Sequence, residues 1–251
     1  MLSKITERIS RIVYSPERYK QRWMARNYEH FRTESRWRVF LSIAVFCYHN
    51  QPINGWYLEF GCHTGRTMRA AWDAFHVLYD WNYAAFDSFE GLPELEDIDR
   101  MPIWKKGMLK TSEDQFIRIV TRHGLAREKL ITVKGFYSES LNQATRERLL
   151  PGAAAVVYID CDLYRSTTQV LEFIKPLLQK GTVVVFDDWF CFHGDPARGQ
   201  RRAFSEFCLQ HPFLRFEPFV QTNEIQSFIY LGRTAEKLAE DLKGQSVLEQ
   251  A

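Results

Sequence analysis

The sequence predicts an α/β fold, with a mostly parallel sheet of seven strands and helices on both faces. Three observations carry this. Two apolar runs, Val156-Val157-Tyr158-Ile159 and Thr182-Val183-Val184-Val185-Phe186, stop at carboxylates, Asp160-Cys161-Asp162 and Asp187-Asp188. A third, Trp56-Tyr57-Leu58-Glu59-Phe60, runs into the glycine turn Gly61-Cys62-His63-Thr64-Gly65 and then into helix-forming sequence. Finally, strand-like and helix-like segments alternate along the chain, the pattern of βαβ units around a parallel sheet.

Each element has a local reason. Residues 2–13 put Leu2, Ile5, Ile9, Ile12 and Val13 on one helical face with Lys4, Arg8 and Arg11 off it. Such a helix suits docking on the body of the protein or on a second subunit, so a homodimer is expected, ahead of a membrane-surface role. Pro16 suits the first turn of a new helix, and residues 34–49 form another, ending near Asn50-Gln51-Pro52. Strand one and its glycine turn lead to a helix through about Leu78, whose Trp72, Phe75 and Tyr79 fall at helical spacing and read as core. Asn82 to Phe86 is strand two, ending at Asp87. Residues 92–113, with Pro93, Pro102, Gly107 and many charges, read as an irregular excursion long enough to cover a site. A helix from Ser112 to His123 leads to strand three, Leu130-Ile131-Thr132-Val133. The acid-tipped runs are strands four and five, beginning at Pro151-Gly152 and Gly181, with a helix from Ser166 to Gln179 between them. After a helix from Arg202 to Leu209, Leu214–Val220 and Ser227–Leu231 close the sheet as an antiparallel pair. The expected organisation is an N-terminal helical extension (1–52), one catalytic domain (53–233) with a lid at about 92–113, and a charged C-terminal tail (234–251).

Bulk composition narrows the function. A chain of 251 residues, 45% hydrophobic and 15% aromatic, can bury a large core. A net charge of +2 gives no global field for nucleic acid or an anionic membrane. The five cysteines are odd in number and form no Cys-x-x-Cys pair, and several sit in apolar runs, which suits reduced thiols and a cytoplasmic protein. No apolar stretch approaches the roughly 18 residues of a membrane span.

Carboxylates that end parallel strands meet at the carboxyl edge of the sheet, where open α/β folds bind ligands. Four of them there repel one another unless a proton or cation compensates, and a hard divalent ion bound by oxygen does so economically. The glycine turn has G-x-x-x-G spacing; without a middle glycine it disfavours a pyrophosphate lying on the backbone, and Glu59 before it suits an ammonium group. Asp87, closing strand two, is placed to accept from both ribose hydroxyls, although aspartate there also serves as a cap or turn former. Together Glu59 and Asp87 describe S-adenosylmethionine better than NAD. His193 is a reserve base, and Arg198, Arg201 and Arg202 read as a solvated helix start rather than an anion grip.

These segments resemble the macrocin O-methyltransferase family, whose members methylate deoxysugar hydroxyls on natural products. The resemblance rests on Tyr57 to Thr67, on Phe86-Asp87-Ser88-Phe89-Glu90-Gly91-Leu92-Pro93, and on Gly135 to Leu141. It continues in Ile159-Asp160-Cys161-Asp162-Leu163-Tyr164-Arg165-Ser166-Thr167 and Asp187-Asp188-Trp189. It implies a class I methyltransferase (Rossmann-like) fold, S-adenosylmethionine as donor, and a magnesium ion held by Asp160, Asp187 and Asp188. It further implies a general base at Asp162, with Asp160 as the other catalytic carboxylate. Cofactor contacts are implied at Glu59, Gly61, Gly65, Asp87, Ser88, Phe136, Tyr137, Ser138 and Asp160. If strand four continues through Asp162, side-chain alternation puts Asp160 and Asp162 on one face, about 7 Å apart.

The expected function is therefore magnesium-dependent methylation of a hydroxyl on a sugar or glycosylated natural product, a small-molecule partner. The catechol-type phenol methyltransferases are the rival. They place a lysine three residues after the first acidic ligand, where this chain has Leu163. A nicotinamide oxidoreductase lacks support for want of the middle glycine and a Tyr-x-x-x-Lys pair. Retention of all four aspartates sets aside a non-catalytic binding protein.

Overall fold

The computed structural model describes residues 15–234; segment 2–13, on which the homodimer expectation rests, and the tail from residue 235 lie outside them. Helix α1, Pro16–Trp23, starts on Ser15, whose side chain accepts from the Arg18 amide, and it buries no residue. One wide turn, Met24–Tyr28, joins it to α2, Glu29–His49. This helix begins ahead of the expected residue 34. Its Arg36, Val39, Phe40, Ile43 and Cys47 recur at helical spacing and are all buried.

The sheet has seven strands: β1 Trp56–Phe60, β2 Asn82–Asp87, β3 Leu130–Lys134, β4 Ala154–Ile159, β5 Leu178–Phe186, β6 Leu214–Gln221 and β7 Gln226–Arg233. Their order is β3-β2-β1-β4-β5-β7-β6, parallel from β3 to β5 and antiparallel across β7 and β6. The chain winds outward from β1 to β3, then returns to the other side of β1, so the crevice between the ends of β1 and β4 is the topological switch point. Register matters most here. Phe60 pairs with Phe86 and with Ile159, and Ile159 pairs with Phe186. The next residues, Gly61, Asp87, Asp160 and Asp187, therefore leave the sheet in one row.

Helices α3, Arg66–Phe75, and α4, Glu113–His123, join α2 over one face; α7, Tyr164–Ile174, and α8, Gly199–Gln210, cover the other. Two short helices, α5 (Tyr137–Ser140) and α6 (Gln143–Glu147), follow β3. Covered on both sides, β4 is buried at every residue, which is why it reads as one unbroken apolar run. Several boundaries differ from expectation. Helix α3 stops at Phe75 rather than Leu78. Helix α7 ends at Ile174, not Gln179, because Pro176 lacks an amide and clashes with the preceding turn. Gly181 lies inside β5 rather than opening it.

Helix α2 belongs to the same core as the sheet. Phe40 is fully buried, with ring centroids 5.5 Å from Phe75, 5.4 Å from Tyr158 and 6.2 Å from Tyr57. A boundary at residue 52 would cut through this contact. Phe40→Ala is expected to cost about 3–5 kcal/mol, as for other buried aromatics. It should do so in one cooperative urea transition; a separate low-stability transition that leaves the main one unmoved would show that α2 is an independent extension.

Candidate active site

A cavity of about 730 Å³ lies over the carboxyl edge of the sheet. Its walls are the glycine turn, Asp87 and Ser88, Gly135 to Ser138, Asp160 to Leu163, the 92–109 segment and, from α2, Arg32 and Arg36. Of the residues expected to hold a cofactor, Gly61, Asp87, Ser88, Phe136, Tyr137, Ser138 and Asp160 line it; Glu59 and Gly65 do not.

The glycines act by allowing close approach. At Gly61 (φ +89°) a Cβ would sit 1.9 Å from the Asp160 carbonyl oxygen, so only glycine lets β1 turn beside the end of β4. At Gly65 (φ +67°) it would sit 2.5 Å from Val120, so glycine also sets how tightly the turn packs on α4. Asp87 organises this loop. Its Oδ2 accepts from the amides of Cys62 (2.7 Å) and His63 (3.1 Å), and its Oδ1 from that of Phe89 (2.7 Å). Three of about four carboxylate acceptor positions are thus filled by backbone, and the side chain still borders the cavity.

Glu59 requires a correction. It shares the period-two face of Tyr57, which packs beneath α2, so its side chain points into the core rather than toward a ligand ammonium. Its Oε2 accepts from the Tyr57 hydroxyl at 2.6 Å, and its Oε1 is buried with no partner. Burial pushes the carboxyl up to about 8, against the pull of Tyr57 and Arg36.

The acidic cluster also departs from the strand-alternation expectation. Strand β4 ends at Ile159, and Asp162 has φ +59°, so Asp160 and Asp162 are not successive residues of one strand face. The Asp162 amide instead donates to Asp188 Oδ2 at 3.1 Å. Side-chain oxygens of Asp160, Asp187 and Asp188 lie within 4.8 Å of one another, and Asp160, Asp162 and Asp188 line the cavity. Burial and the neighbouring carboxylates raise Asp160 and Asp188 well above the usual carboxylate range, and raise Asp162 to about 8. An all-oxygen set in which ionisation is opposed by like charge fits a hard divalent cation.

Asp187 behaves differently. Burial pushes it up, but Arg36 and Arg32 hold it below its ordinary value. Arg36 meets it with Nε at 3.3 Å and a terminal nitrogen at 2.8 Å, and Arg32 adds a contact at 3.1 Å. These arginines are absent from the sequence-based site. The available signal was the placement of a charged residue, Arg36, on the apolar face of its helix. Gln200, also missed, is 1% exposed and bridges the ends of β4 and β5: its Nε2 donates to the Ile159 carbonyl and its Oε1 accepts from the Asp188 amide, each at 3.0 Å.

The 92–113 segment is fastened over the site. Asp99, 2% exposed, caps the start of α7 by accepting from the amides of Tyr164 (2.6 Å) and Arg165 (3.3 Å). Arg198 donates to the carbonyls of Ile98 and Arg100, and Trp104 packs edge-on against Phe192. Arg198 therefore has a role the reading as a solvated helix start missed. Arg201 donates to the Gly194 carbonyl, Arg202 pairs with Glu206, and His193 does not line the cavity.

A family model described as Macrocin-O-methyltransferase (TylF) matches residues 41–218. The chain belongs to this family. Among curated relatives, the 8-demethyl-8-(2,3-dimethoxy-alpha-L-rhamnosyl)-tetracenomycin-C 4'-O-methyltransferase of Streptomyces olivaceus is 33% identical over 131 residues, 50% of this chain and 44% of that protein. Mycinamicin III 3''-O-methyltransferase of Micromonospora griseorubida is 29% identical over 111 residues, 41% of this chain and 42% of that protein. The matched stretch thus spans less than half of either relative. The solved structure of CalS11, a calicheamicin methyltransferase, superposes with a TM-score of 0.62 at 22% identity, covering 90% of this chain and 91% of that one. This member of the family thus shares the class I O-methyltransferase fold.

Glu59 makes stability depend on pH. In the folded state its value is raised from 4.5 to about 8, so between these limits the unfolded chain binds fewer protons and stability falls as pH rises. Glu59→Gln removes this component and should gain on the wild type by on the order of 1 kcal/mol per pH unit across that window. Urea titrations at several pH values test this; parallel stability curves for the two proteins would show Glu59 to be ionised in the fold.

Proposed function

We propose that this family member is an S-adenosylmethionine- and magnesium-dependent O-methyltransferase whose acceptor is a hydroxyl of a sugar, free or carried on a natural product. One observation carries the reading: a single cavity joins the Asp87-organised glycine turn to a carboxylate cluster. The first suits an adenosyl ligand, and the second suits activation of a hydroxyl. The curated relatives add support, since their names place a methyl group on the rhamnosyl unit of a tetracenomycin and on mycinamicin III. Cytoplasmic action on a small molecule is part of the proposal. Among the described residues no helix is long and apolar enough to cross a membrane.

Methyl transfer from a sulfonium is an in-line displacement: the acceptor oxygen forms a bond to the methyl carbon as the carbon–sulfur bond breaks. The chain's task is to hold those atoms in line and keep water out. Asp87 and the loop from Phe136 to Ser138 would place the adenosyl group on one side, and the lid segment would close the other. Bound magnesium, held by Asp160, Asp187 and Asp188, would lower the pKa of an adjacent hydroxyl. Asp162 would take the hydroxyl proton. Burial and the Asp160 charge raise its carboxyl to about 8, and a bound cation, by offsetting that charge, would favour the carboxylate form that accepts a proton. Leu163 is buried against Trp104 and Phe192 under the lid, so the lysine of catechol-type enzymes has no counterpart there.

S-adenosylhomocysteine at a hundredfold excess over its Kd should stabilise the protein by about 2.7 kcal/mol, and NAD should not. Asp87→Ala should abolish most of that shift in a thermal-shift assay. Equal stabilisation by NAD would overturn the cofactor assignment.

With a deoxysugar glycoside as acceptor, turnover should stop in EDTA and return with magnesium. Asp162→Asn should lower kcat by about 10²–10⁴-fold while leaving magnesium affinity nearly unchanged. Near-wild-type turnover in that variant would pass the base role to Asp160.

A further inference from the structure

A second cavity, of about 670 Å³, lies beside the first. Helices α5 and α6, the end of α7, Phe213 ahead of β6 and Arg233 at the end of β7 form its walls. Tyr137, Ser138 and Gln169 line both cavities, so the two share a wall. The second cavity is basic. Arg146, Lys175 and Arg233 line it, and Glu172 is the one acid among its lining residues. Glu139 and Glu147, the acids of the two short helices, do not line it.

Glu172 is already engaged. Its Oε2 accepts from Lys175 at 2.7 Å, and its Oε1 meets His211 Nε2 at 2.6 Å. Arg146 is different. Its Nη1 donates to Gln143 at 3.1 Å and its guanidinium lies over the Phe173 ring, 5.3 Å from the centroid, but no carboxylate among the described residues pairs with it. Its Nε is buried without a hydrogen-bond partner, which is costly for a charged donor. Nε and Nη2 together form the edge of a guanidinium that grips two oxygens of one anion. Leu141 and Phe213, each half-buried, add an apolar surface to the same cavity.

We propose that the second cavity is a further ligand site, taking a phosphate monoester whose phosphate lies against Arg146 and whose organic part is apolar. Binding would turn the Nε edge of Arg146 from the Phe173 ring toward two phosphate oxygens and give the buried donor its partner. Three basic side chains to one acid on the walls favour a phosphate monoester, which carries about −1.5 to −2 charges at pH 7, over a carboxylate. Leu141 and Phe213 would take the organic part, a poor setting for the hydroxyls of a sugar phosphate. The proposal rests on contacts of the chain alone and holds whatever ligand the first cavity takes.

Calorimetric titration of the full chain with phenyl phosphate tests this. One molecule should bind per chain, at least about tenfold more tightly than benzoate, which carries one charge, or glucose 1-phosphate, which lacks the apolar part. Arg146→Gln should weaken binding by at least about tenfold, and Lys175→Gln by several-fold. Either variant serves if the other melts early. Arg165→Gln removes a cation of the first cavity and should leave the affinity within about twofold of wild type. No saturable binding by the wild type would overturn the proposal, and so would unchanged affinity in Arg146→Gln. A tenfold loss in Arg165→Gln would put the phosphate in the first cavity and overturn it as well. Benzoate or glucose 1-phosphate binding as tightly as phenyl phosphate would overturn the ligand class.

Discussion

Like charge brought together at the ends of two neighbouring strands is the constraint around which this molecule is arranged. Parallel pairing of β4 with β5 places Ile159 beside Phe186, so the carboxylates that follow have no freedom to separate. Burial makes their ionisation costly, and without a nearby cation each would keep its proton. The fold answers by carrying Arg32 and Arg36 on a helix that precedes the sheet in sequence and packs on one of its faces. Asp187 is therefore held below its ordinary value where burial and like charge raise Asp160 and Asp188 well above theirs, so identical side chains in one cluster are treated unequally.

The edge is rigid where chemistry needs it. Gln200 supplies an amide that joins the Ile159 carbonyl to the Asp188 amide, where regular pairing stops and the strands would otherwise spread. The 92–113 segment is held by side-chain-to-backbone contacts from Asp99 and Arg198 and by one small aromatic cluster. Few buried contacts bind it compared with the two large cores, which is the profile of a segment that opens at modest cost.

Much of this was legible in the residues. Strand positions followed from apolar runs that stop at acids, and the row Gly61, Asp87, Asp160, Asp187 from the alternation of strands with helices. Period two would also have placed Glu59 on the inward face with Tyr57, but proximity to the glycine turn suggested a ligand contact instead. Pro176 was a visible reason to end α7 early. Other features were beyond a reading of local pattern. The left-handed turn at Asp162 depends on how the chain leaves β4, and the pairing of Arg36 with Asp187 joins residues far apart in sequence. Helix α2 looked like an extension because its apolar face says only that it is buried, not against what.

Two cysteines, Cys62 and Cys161, are among the residues that line the proposed cofactor cavity. A sulfonium methyl donor is an electrophile, and a thiolate beside it would be alkylated in place of the acceptor. Burial, together with nearby carboxylates, raises both thiols well above their ordinary value, and the Cys62 sulfur donates to the carbonyls of Glu59 and Phe86. Both sulfurs remain protonated and poorly nucleophilic. In the proposed reaction burial first, and the neighbouring carboxylates second, would thus guard the protein against methylating itself.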